Sequence, residues 1–349
     1  MNAPLPQMPR FWNAAQAKLR CVAIVPEAPD VKTIHFAAED GAWFRYLPGQ
    51  FVTLALPVPS GTVHRTYTLS STPSRPQRAS VTVKAQKDSI GTRWLLDHLK
   101  IGDKIAAVGP AGDFTLPSDP KRLLLISGGS GVTPMMSMTR YLHDLATETD
   151  IAFLHFARSP DDLLFTAELD GLAGAWPALK PRFIVEQAQQ HWAGPIGRPS
   201  EGLLRQLCPD LDSRDVFCCG PAPFMTAVRD AVTAIAGGLA RYREESFRPA
   251  APTPSPAPAV AGKIEIRFAA SNKQVAITGT ETILQAAQAA GVPLPYACQM
   301  GLCGTCMVKK SAGEVAMEHQ GGITDEDIAT GYILACCAHP ASDRIEIEL

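Results

Sequence analysis

Four cysteines near the C-terminal end, Cys298, Cys303, Cys306 and Cys336, stand as C-x4-C-x2-C with the fourth following after 29 residues. Thiolates are soft ligands that suit iron, and four at this plant-type spacing hold a [2Fe–2S] cluster. Gly301 and Gly304 lie inside the loop. Lacking side chains, they let backbone N–H groups approach the sulfurs, and such hydrogen bonds tune a cluster's potential. A structural zinc site would show a second C-x2-C pair or added histidines. Cys337 adjoins Cys336, and the spacing selects Cys336 as the fourth ligand. A Rieske-type cluster would need two Cys-x-His motifs, which the chain lacks.

Three further segments carry residue types suited to cofactor chemistry. Arg65-Thr66-Tyr67-Thr68-Leu69-Ser70-Ser71 falls at a predicted strand end. An arginine pairs with a phosphate, a tyrosine lies against an aromatic ring system, and a threonine hydroxyl reaches a ring nitrogen. Taken alone, this segment also reads as an ordinary amphipathic strand. Gly128-Gly129-Ser130-Gly131-Val132-Thr133-Pro134 follows the apolar run Leu123–Ile126 and opens a helical pattern. Glycines admit a pyrophosphate to the backbone, Thr133 can cap the helix, and Pro134 suits its first position. Cys219-Gly220-Pro221 closes a later apolar run, and Cys218 beside it reads as core.

These segments need separate scaffolds. At about 150 residues per domain, 349 residues make two or three domains. Before Asp119, short alternating segments such as Val31–Phe36 and Phe51–Leu56 predict an antiparallel barrel or sandwich, with one helix near Thr92–Lys100. From Lys121, continuous apolar runs alternate with helical stretches, the signature of a parallel sheet. Residues 248–262 hold five prolines among fifteen residues. Such Pro/Ala segments are semi-rigid, and this one would reach roughly 45 Å fully extended. The expected organisation is a barrel over 1–118, an α/β domain over 119–247, a tether over 248–262 and an α+β domain over 263–349. The last is acidic, with six Lys/Arg against ten Asp/Glu.

Composition excludes several classes. A formal net charge of −2 gives no broad grip on nucleic acid. No apolar run approaches the ~18 residues that cross a bilayer. Nine cysteines, five of them within the last 52 residues, argue against a secreted disulfide framework. A cytoplasmic chain without membrane or nucleic-acid partners is expected. His155 reads as a satisfied strand histidine, Met135 and Met136 as core, and Asp325-Glu326-Asp327 as a helix start or solvated face.

In this setting RTYTLSS, together with Pro48-Gly49-Gln50-Phe51 upstream, resembles the flavin motif of the ferredoxin–NADP reductase superfamily. The resemblance implies that Arg65 holds the flavin phosphate, Tyr67 stacks on the isoalloxazine and Thr68 lies near its N5, with Ser70 in the same binding segment. Ser89-Ile90-Gly91-Thr92 is similar to the family's G-x-x-S helix start, with serine for the first glycine and threonine for the serine. Gly91 and Thr92 would meet the pyrophosphate, as a helix N-terminus suits an anion. FAD is expected, with FMN as the alternative. By the same resemblance Gly128, Gly129, Gly131 and Thr133 hold the nicotinamide dinucleotide. Cys219, Gly220 and Pro221 lie near the nicotinamide ring, and Arg158 meets the adenosine end. Phe247, in Glu245-Ser246-Phe247, guards the flavin face. The 158–162 loop has no dense basic cluster for a 2′-phosphate, so NADH is expected rather than NADPH.

The resemblance implies a flavin barrel, a nucleotide domain and a β-grasp ferredoxin. Tyr67, Thr68, Cys219 and Phe247 would frame hydride transfer, and the cluster would release single electrons. This order occurs in reductases of Rieske-type oxygenases. Segments such as Phe217–Pro221, Gly313–His319 and Gly331–Cys337 are similar to the reductases of glycine betaine and proline betaine (stachydrine) demethylating systems. A Rieske-type oxygenase is therefore the expected partner. The other settings are a reductase for another acceptor, such as a hybrid-cluster protein, and an electron-transfer subunit of a larger dehydrogenase. The full 263–349 domain argues against the second of these.

Overall fold

A computed structural model describes residues 9–13, 17–59, 61–85, 89–189, 191–247, 263–296, 301, 304, 306–319 and 322–349. The expected tether at 248–262 and the expected ligands Cys298 and Cys303 lie outside the described residues. The chain divides into two compact units, the second made almost wholly of residues after 248. No described helix is long and apolar enough to cross a membrane.

The first unit begins with six antiparallel strands: β1 (Leu19–Ala28), β2 (Val31–Ala38), β3 (Phe51–Val58), β4 (Gly61–Thr68), β5 (Ala79–Lys84) and β6 (Lys104–Ala111). Their order is β4-β3-β6-β1-β2-β5. A bridge between Leu69 and Val81 brings the two ends together. Alternate residues of a strand face opposite ways, so Ile34 and Phe36 of β2 join Leu54, Leu56 and Val81 in the barrel core. One helix, α1 (Ile90–Asp97), precedes β6. It starts two residues before the predicted position, because Ser89 already stands in extended backbone and releases Ile90 into the first turn.

Five parallel strands follow: β7 (Arg122–Gly128), β8 (Asp150–Ala157), β9 (Leu179–Val185), β10 (Asp215–Cys219) and β11 (Tyr242–Glu245), in the order β11-β10-β7-β8-β9. The helices are α2 (Val132–Asp144), α3 (Thr166–Ala175), α4 (Glu201–Leu207) and α5 (Ala222–Ala236). Leu123 and Leu125 pack with Met135 and Met136 of α2 on one face of the sheet. Leu124 and Ile126 pack with Val228 of α5 on the other. A strand covered on both faces must be apolar throughout, hence the run Leu123-Leu124-Leu125-Ile126. Val31 of the barrel sits in the first of these cores, so the two domains share an apolar seam.

The second unit is a β-grasp. Strands β12 (Ile264–Phe268), β13 (Lys273–Ile277), β14 (Met307–Ala312), β15 (Val315–Met317), β16 (Tyr332–Leu334), β17 (Ala338–Pro340) and β18 (Arg344–Ile347) accompany α6 (Ile283–Ala289) and α7 (Asp325–Ala329). The main sheet runs β13-β12-β18-β14-β16, with β15 and β17 paired apart. Each helix opens with a capping box, Thr282 with Gln285 and Thr324 with Asp327. Reciprocal bonds of this kind satisfy two orphan donors at once.

Arg214 ties together the starts of the inner strands β7, β8 and β10. Only 4% exposed, its guanidinium donates to the carbonyls of Leu123 and Asp150 and to the carboxylates of Asp150 and Asp210 at 2.8 Å. Removing it takes a donor from two carbonyls and leaves Asp150 to Lys180 and Asp210 to Arg122. Arg214→Met is expected to cost about 2–4 kcal/mol in chemical denaturation. A loss below about 0.5 kcal/mol, the range of ordinary surface changes, would mean that water replaces the guanidinium freely.

Candidate flavin, nicotinamide and cluster sites

On β4, Arg65 and Tyr67 share one face and meet the first turn of α1. The Tyr67 phenol lies 3.3 Å from the Thr92 hydroxyl. A Cβ on Gly91 would come within 3.1 Å of the Arg65 side chain, so glycine eases the arginine's passage across the helix start. Ser89 makes no side-chain cap bond, which leaves the first-turn amides for another acceptor. The amides of a helix first turn, its dipole and a guanidinium together fit a phosphate. Burial pushes the Tyr67 phenol up to about 12, so it stays protonated.

Thr68 turns the other way, into the domain seam. Its hydroxyl donates to Oε2 of Glu245 at 3.2 Å. Ser70 is also buried, with its hydroxyl bonded to Ser80 and Thr82 of β5. The Ser70 hydroxyl thus faces the barrel wall, while Arg65, Tyr67 and Thr92 come together at the start of α1. A cavity of about 750 Å³ lies nearby, between β1, β2 and α3. It borders Ser71 and Arg140 but none of the residues the motifs select.

The nucleotide turn is tighter than the sequence suggests. Gly129–Gly131 forms a single 3-10 turn that runs directly into α2. Gly131 thus takes the cap position expected of Thr133. The Thr133 hydroxyl lies inside the helix and donates back to the Ser130 carbonyl at 3.1 Å. Pro134 falls in the first turn, where its missing N–H costs nothing. Gly129 has φ +54, and a Cβ on Gly131 would come within 2.2 Å of the Cys219 carbonyl. The glycines let the β7 and β10 turns lie back to back and leave backbone exposed to a pyrophosphate. Arg158 is exposed at the end of β8. Its loop carries Asp161 and Asp162, the latter paired with Lys84 at 2.8 Å.

Cys219 is fully buried and pairs in register with Ser127 of β7 and Glu245 of β11. Burial, reinforced by the Glu245 carboxyl, holds its thiol well above the ordinary value. It is a neutral thiol, not a nucleophile. Gly220 lies against the Phe224 ring, Pro221 caps α5, and Phe247 is 44% exposed just beyond β11. Glu245 entered the sequence reading only as a neighbour of Phe247. Its contact with Thr68 spans 177 residues, and no local signal announces such a meeting. His155 is buried and neutral: Nε2 accepts from the Leu164 amide at 3.2 Å, which leaves Nδ1 to donate to Ser127.

In the second unit Cys306 and Cys336 are both buried. The Gly301 amide donates to the Cys336 sulfur at 3.3 Å, the kind of bond that stabilises a coordinated thiolate. Gly301 has φ +69, and a Cβ there would come within 2.8 Å of the Cys337 sulfur. Cys337 instead directs its thiol to the Leu334 carbonyl. Two buried thiols on separate loops, one receiving a backbone amide, fit a [2Fe–2S] cluster. Cys336→Ser is expected to abolish the cluster's visible and EPR signals, and Cys337→Ser to leave them. The reverse result would give the fourth position to Cys337.

Burial raises the Glu245 carboxyl to about 8 from an ordinary 4.5. The folded chain therefore holds a proton that the unfolded chain releases. Stability from this group declines as pH rises from 4.5 to about 8. NADH-driven flavin reduction is expected to slow as pH passes about 8. Glu245→Gln, which stays neutral, should flatten that break. A break that survives in the glutamine variant would belong to another group.

Residues 19–116 match the family profile of the oxidoreductase FAD-binding domain, 125–230 that of the oxidoreductase NAD-binding domain, and 268–341 that of the 2Fe-2S iron-sulfur cluster binding domain. The chain is 44% identical over 346 residues to the stachydrine N-demethylase reductase subunit of Rhizobium meliloti (strain 1021), across 97% of this chain and 98% of that protein. It is 39% identical over 361 residues to the glycine betaine monooxygenase reductase subunit of Chromohalobacter salexigens, across 98% of each. Among solved structures, phthalate dioxygenase reductase aligns with TM-score 0.60 and 23% identity over 96% of this chain and 98% of that one, a likeness of fold. All three cofactor domains are present, and the chain is an oxidoreductase. Matched from end to end by these relatives, it belongs to the ferredoxin–NADP reductase superfamily, among the oxygenase reductases that carry a C-terminal [2Fe–2S] ferredoxin domain.

Proposed function

We propose that this chain draws electrons from NADH and delivers them singly to a Rieske-type oxygenase that N-demethylates a quaternary ammonium carboxylate, glycine betaine or proline betaine. The observation that carries the acceptor is the 44% and 39% identity, over nearly the whole length, to reductase subunits of stachydrine and glycine betaine systems. The Thr68–Glu245 contact supports the internal chemistry, because it joins the flavin motif to the strand beside Cys219. When bound, the three groups supply hydride donation, conversion of an electron pair into single electrons, and one-electron transfer outward.

The chain's own residues position and exclude. Arg65 and the first turn of α1 hold the flavin phosphate, and Tyr67 packs along the ring. Thr68 and Glu245 close the site from the nucleotide side, and Phe247 covers the flavin face until the nicotinamide arrives. Gly128, Gly129 and Gly131 receive the dinucleotide, with Arg158 at its adenosine end. Asp161 and Asp162 leave that end poorly suited to a 2′-phosphate, which supports NADH. Cys298, Cys303, Cys306 and Cys336 hold the iron. A cytoplasmic setting, where thiols stay reduced, suits this ligand set.

Reconstitution tests the reading. The purified chain, a betaine-demethylating Rieske oxygenase, NADH and oxygen should together release formaldehyde from glycine betaine or proline betaine in step with NADH consumed. Brisk NADH-driven cytochrome c reduction without formaldehyde would retain the electron-transfer chemistry and reject the proposed acceptor.

A further inference from the structure

Strand β11 is four residues long and lies at the edge of its sheet, paired only with β10. Yet it carries Glu245, whose carboxyl is almost entirely withdrawn from water. Two forces work against that position. Edge strands fray, because one side of their backbone lacks a partner. A buried carboxyl also gains hydration by swinging outward and ionising. Something beyond four backbone pairings must hold the strand.

The adjacent residue supplies it. Glu244 and Glu245 face opposite ways, as neighbours on a strand must. While Glu245 meets Thr68, the Glu244 carboxylate faces α5. There Arg229 donates to both of its oxygens, from Nε to Oε2 at 3.3 Å and from Nη2 to Oε1. The Tyr242 phenol donates to Oε2 at 2.7 Å. Helix and edge strand thus converge on one carboxylate.

The placement of α5 gives this convergence a consequence. The helix begins directly after Cys219-Gly220-Pro221, the turn that forms the nicotinamide side of the site. Arg229 lies two turns along it. The clamp therefore ties the helix behind that turn to the strand that carries Glu245.

We propose that Arg229 and Glu244, with Tyr242, are positioning residues that set the depth of Glu245 against Thr68 and so govern the flavin–nicotinamide step without touching either cofactor. The inference rests on the reading of Thr68 and Glu245 as part of that site. The groups facing Glu245 are Thr68 from β4 and the Cys219 thiol from β10, neither of them charged. Access of water, rather than a neighbouring charge, decides its proton affinity.

Hydrogen exchange in the full-length chain, with and without flavin, reads the clamp directly. Arg229→Met keeps the aliphatic length and removes the bonds. Exchange over residues 242–247 is expected to rise about tenfold or more, with 51–68 and 264–349 unchanged. In the flavin-loaded chain, NADH-driven flavin reduction should slow roughly tenfold or more, as misplacement near 1 Å does, with little change in NADH affinity. The alkaline break in that rate should move toward the ordinary carboxyl range as water reaches Glu245. Arg229→Lys should restore most of both signals. Glu244→Gln should shift them in the same direction and decides the matter if Arg229→Met does not fold. Wild-type exchange over 242–247 and an unmoved alkaline break in the folded variants would overturn the proposal. Failure of the oxygenase reconstitution would leave the exchange result standing, so the two readings fail separately.

Discussion

A threonine hydroxyl and a glutamate carboxyl, Thr68 on the barrel and Glu245 on the parallel sheet, meet at 3.2 Å where water scarcely reaches. Keeping that contact dry requires two domains to stay pressed together. Val31 and Phe114 pack into the sheet's core, an apolar seam worth more than any single polar tie. Arg75 and Asp144, Lys84 and Asp162, and the Ser137 hydroxyl on the Ser71 carbonyl join the same two domains. Exposed ion pairs of this kind each contribute little. Their value lies in fixing the angle at which the seam closes.

The groups gathered around the Thr68–Glu245 contact are neutral. Burial keeps Glu245 protonated, holds the Cys219 thiol and raises the Tyr67 phenol. His155, deeper in the sheet, is held down near 4 and stays uncharged. A dry site whose buried thiol is neutral is poorly equipped for nucleophilic catalysis. It is well equipped to stack flat apolar rings and exclude water between them, which is what passage of a hydride requires. Two arginines singled out by the sequence lie farther off, Arg65 against the start of α1 and Arg158 just beyond β8.

Much of this was legible from composition and spacing. Leu123–Ile126 announced a strand buried on both faces because four consecutive apolar residues tolerate no wet side. The glycine turns announced themselves because backbone passes within van der Waals distance of backbone at Gly131. Other features depend on partners distant in sequence. Glu245 acquires meaning only from Thr68. Ser70 looks like a cofactor ligand until β5 offers it Ser80 and Thr82. Thr133 has the side chain of a helix cap, but the turn before it is already helical and takes the cap to Gly131.

The edge position of β11 has a mechanical side. It is the last strand before the proline-rich segment that leads to the ferredoxin domain, so any pull on that segment arrives first at Tyr242–Glu245. Four residues of β11 pair with β10, and their backbone bonds share that load. The carboxylate of Glu244 adds a side-chain rivet to those bonds.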